Sequence, residues 1–155
     1  MHHSWARNEF EISTDPTRLD LSMVHEFLTN SYWAKGIPLE TVRRSVENSL
    51  SFGIYHDHRQ VGFARVVTDR ATYAYLADVF VLEPYRGRGL SKWLMECTTA
   101  HPDLQGLRRW MLATGDAHGL YRQYGFTELK APERWMELHF PDIYAKKPTS
   151  SVPSK

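Results

Sequence analysis

Apolar positions along the chain fall into short, distinct patterns. Residues 9–13 alternate weakly and predict a first strand. After the turn Asp15-Pro16-Thr17, residues Leu21, Val24, Phe27 and Leu28 share one helical face. A second helix is predicted from Pro38, because proline suits a first helical turn; Leu39, Val42, Val46 and Leu50 recur at spacings of three or four. Residues 52–55 and 60–67 read as a hairpin around His56-Asp57-His58-Arg59. Residues 72–82 are apolar at nearly every position, the pattern of a strand buried on both faces in the middle of a sheet.

Glu83-Pro84-Tyr85 ends that strand, and a glycine-containing loop runs straight into a helix from Gly89. Leu90, Trp93, Leu94 and Cys97 form its apolar face, and His101-Pro102-Asp103 stops it. A strand at 109–113, a short helix at 117–124 ended by Gly125, and a last strand at 135–140 complete the order β-α-α-β-β-β-α-β-α-β. The expected fold is therefore α/β, with a central mixed sheet flanked by helices. Residues 1–145 read as one domain and 146–155 as a flexible tail.

Composition narrows the function. The 155 residues carry 19 Lys plus Arg against 18 Asp plus Glu, a net charge of +1. No broad positive field exists to attract nucleic acid or an anionic membrane, so neither is expected as a partner. Cys97 is the single cysteine, which rules out an intrachain disulfide. With no leader-like start and no apolar run of about 18 residues, a cytoplasmic location is the expectation.

The strongest chemical signal is the loop Arg86-Gly87-Arg88-Gly89-Leu90-Ser91 between the apolar strand and its helix. A helix N-terminus carries free N–H donors and a partial positive charge, and glycines let the backbone approach an anion. Arg86 and Arg88 add two mobile cations. The spacing is not that of a P-loop, and Lys92 stands where a dinucleotide fingerprint needs its third glycine.

From Asp78 through Ser91 the sequence resembles the strand and pyrophosphate loop of the GNAT N-acetyltransferase superfamily, Arg/Gln-x-x-Gly-x-Gly/Ala. The stretch Leu112-Ala113-Thr114, Ala117, and Leu120-Tyr121-Arg122-Gln123-Tyr124-Gly125-Phe126 resembles that family's later strand and its Ala-x-x-x-Tyr-x-x-x-Gly-Phe ending. Ser91 replaces the last small residue, and Thr114 stands where many members carry Asn. The resemblance implies acetyl-CoA as co-substrate, with the pyrophosphate on the amides of Gly87, Arg88, Gly89, Leu90 and Ser91. It implies pantetheine contacts along Phe80, Val81 and Leu82, with Thr114 at the Asn position. It also implies an N-acetyltransferase acting on a small-molecule or peptide amine, and suggests a homodimer joined through the last strands. A non-catalytic CoA-binding module is the alternative.

Acyl transfer needs a neutral amine, and freeing a lysine-like amine of its proton at pH 7 costs roughly 4.6 kcal/mol. Asp78, inside an apolar strand, reads either as the base or as the partner of an arginine. Glu83 is a further carboxylate near the cofactor mouth; Asp116 reads as a helix N-cap and His118 as a surface residue. Tyr121 matches the family tyrosine that serves the leaving thiolate, whereas Tyr124 reads as packing and Cys97 as a small core residue. Tyr73 and Tyr75 share a strand face and read as acceptor-pocket lining or sheet packing. His56, Asp57 and His58 make a poor metal site, so no metal is expected.

Overall fold

The protein is described by a computed structural model over residues 1–145. Six strands form one sheet in sequential order: β1 (Ser4–Arg7), β2 (Phe10–Ser13), β3 (Leu50–His56), β4 (Arg59–Thr68), β5 (Tyr73–Val81) and β6 (Arg109–Leu112). The first four pairings are antiparallel and β5 with β6 is parallel, so the expected mixed α/β sheet is present. The helices are α1 (Leu21–Thr29), α2 (Leu39–Glu47), α3 (Leu90–Ala100) and α4 (His118–Arg122). The proposed tail, 146–155, lies outside the described residues.

Local chemistry sets most boundaries. The side chain of Asp20 accepts the amide of Met23 at 3.1 Å and caps α1. Pro38 stands at the N-cap of α2, whose outer face is laced by ion pairs from Arg43 to Glu40 and Glu47. Asp57 and His58 both take positive φ between paired His56 and Arg59. That is the two-residue turn whose twist suits a hairpin.

One core lies on each face of the sheet. Val24, Leu28, Val42 and Val46 of α1 and α2 pack with Phe63 and Phe80. Leu90, Trp93, Leu94 and Cys97 of α3 pack with Phe52, Val66, Leu76 and Tyr121 on the other. Leu94 is completely buried, worth about 1.5–3 kcal/mol by area.

Three expectations change. The chain starts in a hairpin that the sequence reading missed: β1 pairs with β2 in register Arg7↔Phe10, and the His3 carbonyl accepts the Thr14 amide at 2.9 Å. The strand expected at 135–140 is not formed; those residues have no ladder partner among the described residues. Strand β5 is not buried on both faces throughout, because Tyr73, Tyr75 and Ala77 through Val79 are only half-buried.

Tyr73, Tyr75 and Ala77 alternate with buried Ala74 and Leu76, and a bulge then breaks that alternation. Arg65 pairs with Ala77 and Phe63 with Phe80, so Ala64 faces two residues, Asp78 and Val79. Ala74 and Leu76 belong to the α3 core before the bulge, whereas Val81 belongs to it after. Phe80 turns to the α1–α2 core, where its ring stacks on Phe27 at 3.9 Å. The side-chain phase thus slips by one residue at Asp78.

Candidate active site

Strands β5 and β6 pair only from Tyr73↔Arg109 to Leu76↔Leu112. Beyond Leu76 the two strands part, and the β6-facing backbone of β5 has no ladder partner among the described residues. A cavity of about 410 Å³ opens there, lined among others by Arg65, Tyr75, Asp78, Thr114 and Tyr121. Residues Phe80 and Val81 continue β5 past it, and Leu82 is tied to β4 by its amide, 2.8 Å from the Val61 carbonyl.

The glycine loop sits at the end of β5. Gly87 and Gly89 take φ of +80° and +76°, and Gly89 is the N-cap of α3. Apart from the chain neighbours, no atom of the described residues lies within 4 Å of where a Cβ would stand at either position. Glycine is therefore demanded by the backbone conformation, not by protein packing. Among the described residues the amides of Gly87, Arg88, Gly89, Leu90 and Ser91 have no acceptor. Five unpartnered donors at a helix N-terminus fit a diphosphate.

The two arginines differ. Arg86 is anchored, its Nε donating to the Val81 carbonyl at 2.8 Å. Arg88 is half-exposed, over the Tyr85 ring at 5.7 Å and 3.7 Å from Glu9. The expectation of two mobile cations is corrected to one anchored and one loosely held.

Asp78 occupies the bulge with φ +57°, a left-handed conformation that aspartate tolerates better than most side chains. Its Oδ2 accepts from Arg65 Nε at 2.8 Å and its Oδ1 from Trp33 Nε1 at 2.9 Å. The side chain keeps 9% exposure. The arginine partner weighed from sequence is therefore present. A carboxylate offers about four lone-pair sites, so two remain. Arg65 also donates to the Ser49 hydroxyl at 3.1 Å.

Tyr121 is 7% exposed, and no described residue hydrogen-bonds its hydroxyl. Burial, then the neighbouring Tyr32 and Asp116, push that hydroxyl above the ordinary tyrosine range. Thr114 Oγ1 accepts the amides of Ala117 at 3.1 Å and Asp116 at 3.3 Å. Thr114, not Asp116, thus caps the turn into α4, because its side chain reaches back over the loop. The hydroxyl proton of Thr114 is left for a further acceptor.

Other candidates disperse. Glu83 is exposed beyond the strand end and lies outside the Asp78 cavity; His118 is exposed on α4. Tyr124 donates to the Lys92 carbonyl at 3.0 Å and ties α4 to α3. Cys97 is buried, its thiol pushed up to about 12 by burial. Tyr75 lines the cavity and Tyr73 does not. No cluster of three metal-ligating side chains occurs among the described residues, and no helix there is long and apolar enough to cross a membrane.

The sequence reading missed Arg65 and assigned no role to Trp33 or Tyr32. The loop after α1 brings Trp33 to Asp78, and the Tyr32 hydroxyl to the amide of Gly115 at 3.0 Å.

Known proteins share this fold. The family model described as an acetyltransferase (GNAT) domain matches residues 47–128. A candidate acetyltransferase of Gibberella zeae is 29% identical over 141 residues, 76% of this chain and 78% of that protein. The crystal structure of a candidate GNAT-family acetyltransferase from Xanthomonas campestris superposes with a TM-score of 0.88 at 52% identity, covering 91% of this chain and all of that one. An acetyltransferase predicted in Clostridium acetobutylicum, crystallised with acetyl-CoA, shares the fold at a TM-score of 0.60 and 12% identity, over 90% of this chain and 96% of that one. A match over more than half the chain, running from the end of α2 through the glycine loop and past Tyr121, places this protein in the GNAT acetyltransferase family, whose members are acyltransferases using acetyl-CoA.

Proposed function

We propose that the chain transfers an acetyl group from acetyl-CoA to the primary amine of a small molecule or peptide, by direct attack in a ternary complex. One observation carries this reading: strand β5 lines a cavity that holds both Asp78 and Tyr121 and runs on, through Phe80 and Val81, to the Gly87–Ser91 loop, whose amides are unpartnered among the described residues. When bound, acetyl-CoA supplies an acetyl thioester for attack by a neutral amine.

The chain's own groups do the rest. Gly87 to Ser91 hold the diphosphate with backbone N–H groups, and Arg86 and Arg88 add charge. The backbone edge of β5 that β6 leaves unpaired past Leu76, up to the Val81 amide, offers donors and acceptors to the pantetheine; the Leu82 amide is already spent on the Val61 carbonyl. Thr114 donates its hydroxyl there. Asp78 holds the ammonium form of the acceptor and, through a remaining lone pair, takes one proton from it, which frees the nitrogen lone pair for attack on the thioester carbon; the second N–H proton leaves to water once the N–C bond has formed. Arg65 and Trp33 fix that carboxylate in place. As the C–S bond breaks, Tyr121 donates its proton to the thiolate sulfur and recovers it from water.

Trp33 and Tyr75 line the cavity together with Asp78, and aromatic rings beside a carboxylate suit a cationic amine. Cys97 cannot carry the acetyl group, since it lies in the α3 core away from this cavity.

The test is a thiol-release screen of an amine panel with acetyl-CoA. Turnover that depends on the amine and falls with Tyr121→Phe is expected. CoA binding without turnover on any amine would reduce the protein to a binding module.

A further inference from the structure

The sheet parts a second time, at the end away from the glycine loop. Strands β2 and β3 pair only from Phe10↔His56 to Ser13↔Gly53. Leu50 to Phe52 of β3 have no ladder partner on that side among the described residues. The chain past Ser13 turns instead toward β1, with the Thr14 amide donating to the His3 carbonyl at 2.9 Å. A cavity of about 830 Å³ opens at this parting. Val46 of the α1–α2 core and Leu50 of the α3 core both line it, so it reaches from one face of the sheet to the other. It shares no lining residue with the cavity that holds Asp78.

The polar groups along this cavity are donors with little to donate to. His101 lines it, is 2% exposed, and stands among the rings of His3, Trp5 and Phe52. Its Nδ1 accepts the Asp103 amide at 3.0 Å. A neutral imidazole that accepts at Nδ1 carries its proton on Nε2. Burial, then the neighbouring His3, hold this imidazole below the ordinary histidine range, so it is neutral at pH 7. Its Nε2–H has no acceptor among the described residues. Asp103 also accepts one N–H of Arg70, which brings that guanidinium to the same end of the cavity with its other donors unused. The remaining charges are matched: Arg43 lies between Glu40 and Glu47. Ser51, 6% exposed, lines the passage with a hydroxyl that has no partner. Buried polar groups left unpaired in this way are uncommon, and they point to a polar ligand.

We propose that this cavity binds a small monocarboxylate with a short apolar tail, its carboxylate held by the His101 Nε2–H and the unused N–H groups of Arg70, its tail laid against Leu19, Leu21, Val46 and Leu50. Acceptor oxygens answer the unpaired donors, and a charged acceptor makes the stronger bonds. One arginine already shared with Asp103 matches a single negative charge, not the two of a phosphate. The apolar walls on the α1–α2 side take a hydrocarbon tail. This site stands apart from acetyl transfer and does not depend on it.

The test titrates hexanoate into the full chain at neutral pH and follows backbone amide shifts by NMR. Saturable shifts are expected at residues 49–51, 70 and 101–103, with none along 87–91. His101→Asn keeps an acceptor for the Asp103 amide and loses the Nε2–H. Arg70→Gln removes the cation from a half-exposed position. Each should weaken hexanoate about fivefold or more, the worth of one hydrogen bond. If His101→Asn proves unfolded by circular dichroism, Arg70→Gln decides alone. Saturating CoA should leave hexanoate in place, because the two cavities share no wall. Hexylamine and inorganic phosphate should not displace it. No saturable shift at millimolar hexanoate, equal affinity in Arg70→Gln, or displacement by CoA, hexylamine or phosphate would each overturn the assignment.

Discussion

The hydroxyl of Tyr32 accepts the amide of Gly115 at 3.0 Å, joining the loop after α1 to the loop before α4 across 83 residues of sequence. Both residues line the cavity that holds Asp78 and Tyr121. Its loss should loosen the acceptor side and leave the diphosphate side alone. Tyr32→Phe is expected to raise KM for the amine several-fold, in line with about 1 kcal/mol for one hydrogen bond, with CoA affinity unchanged. Steady-state kinetics with calorimetry of CoA binding would separate the two.

Arg65 and Asp78 form an ion pair with side-chain exposures of 18% and 9%. Arg65→Leu leaves the carboxylate charged and nearly buried. A fully buried pair costs about 3–5 kcal/mol when one partner goes, and the remaining exposure lowers this to about 2 kcal/mol. Urea denaturation should show that loss, and Arg65→Leu combined with Asp78→Asn should recover part of it.

Gly89 separates backbone conformation from charge. Gly89→Ala meets no protein atom, so its cost is the left-handed φ of +76°, about 1–2 kcal/mol. Gly89→Asp adds a negative charge at the amides meant for a diphosphate. CoA affinity by calorimetry should fall about tenfold in the first variant and far further in the second. Equal affinities in both would remove the diphosphate from this loop.

Burial holds the Tyr121 hydroxyl above the usual tyrosine range. Its neutral form, and the stability tied to it, is therefore fully present below about pH 10 and is lost as pH rises through the raised folded value. The rate should climb with deprotonation of the amine and show no falling limb below about pH 10 that Tyr121→Phe abolishes. That variant should lower kcat by about 10²-fold if Tyr121 acts as the acid.

The buried Cys97 thiol, pushed up to about 12, should resist alkylation in the folded protein and react on unfolding. Cys97→Ala should keep full turnover, as direct attack requires. Loss of turnover in a well-folded variant would argue for an acyl-enzyme.

Signals confined to neighbouring residues were readable in the sequence. The run into Gly87, Gly89 and α3 declared itself because strand, turn and helix follow each other without interruption. Tyr121 came with its own local motif. Asp78 stood out as a charge in an apolar strand, but Arg65 lies 13 residues away and Trp33 45 away, and no local pattern joins them. Period two along β5 placed Tyr73 and Tyr75 on one face; counted onward it would put Val81 there too, but the extra residue at the bulge sends Val81 to the α3 core. At 135–140 the alternation was legible, yet a strand needs a neighbour, and none stands beside it among the described residues.

The extra residue in β5 has a genetic corollary. Because the core assignments of Leu76 and Val81 already differ by one step across it, removing Asp78 alone would restore a regular ladder and keep both apolar faces aligned. A lineage could shed this aspartate by a three-nucleotide deletion and keep the apolar register of the strand, leaving Arg65 and Trp33 without their acceptor, so here the proposed base and the ladder are separable by one codon.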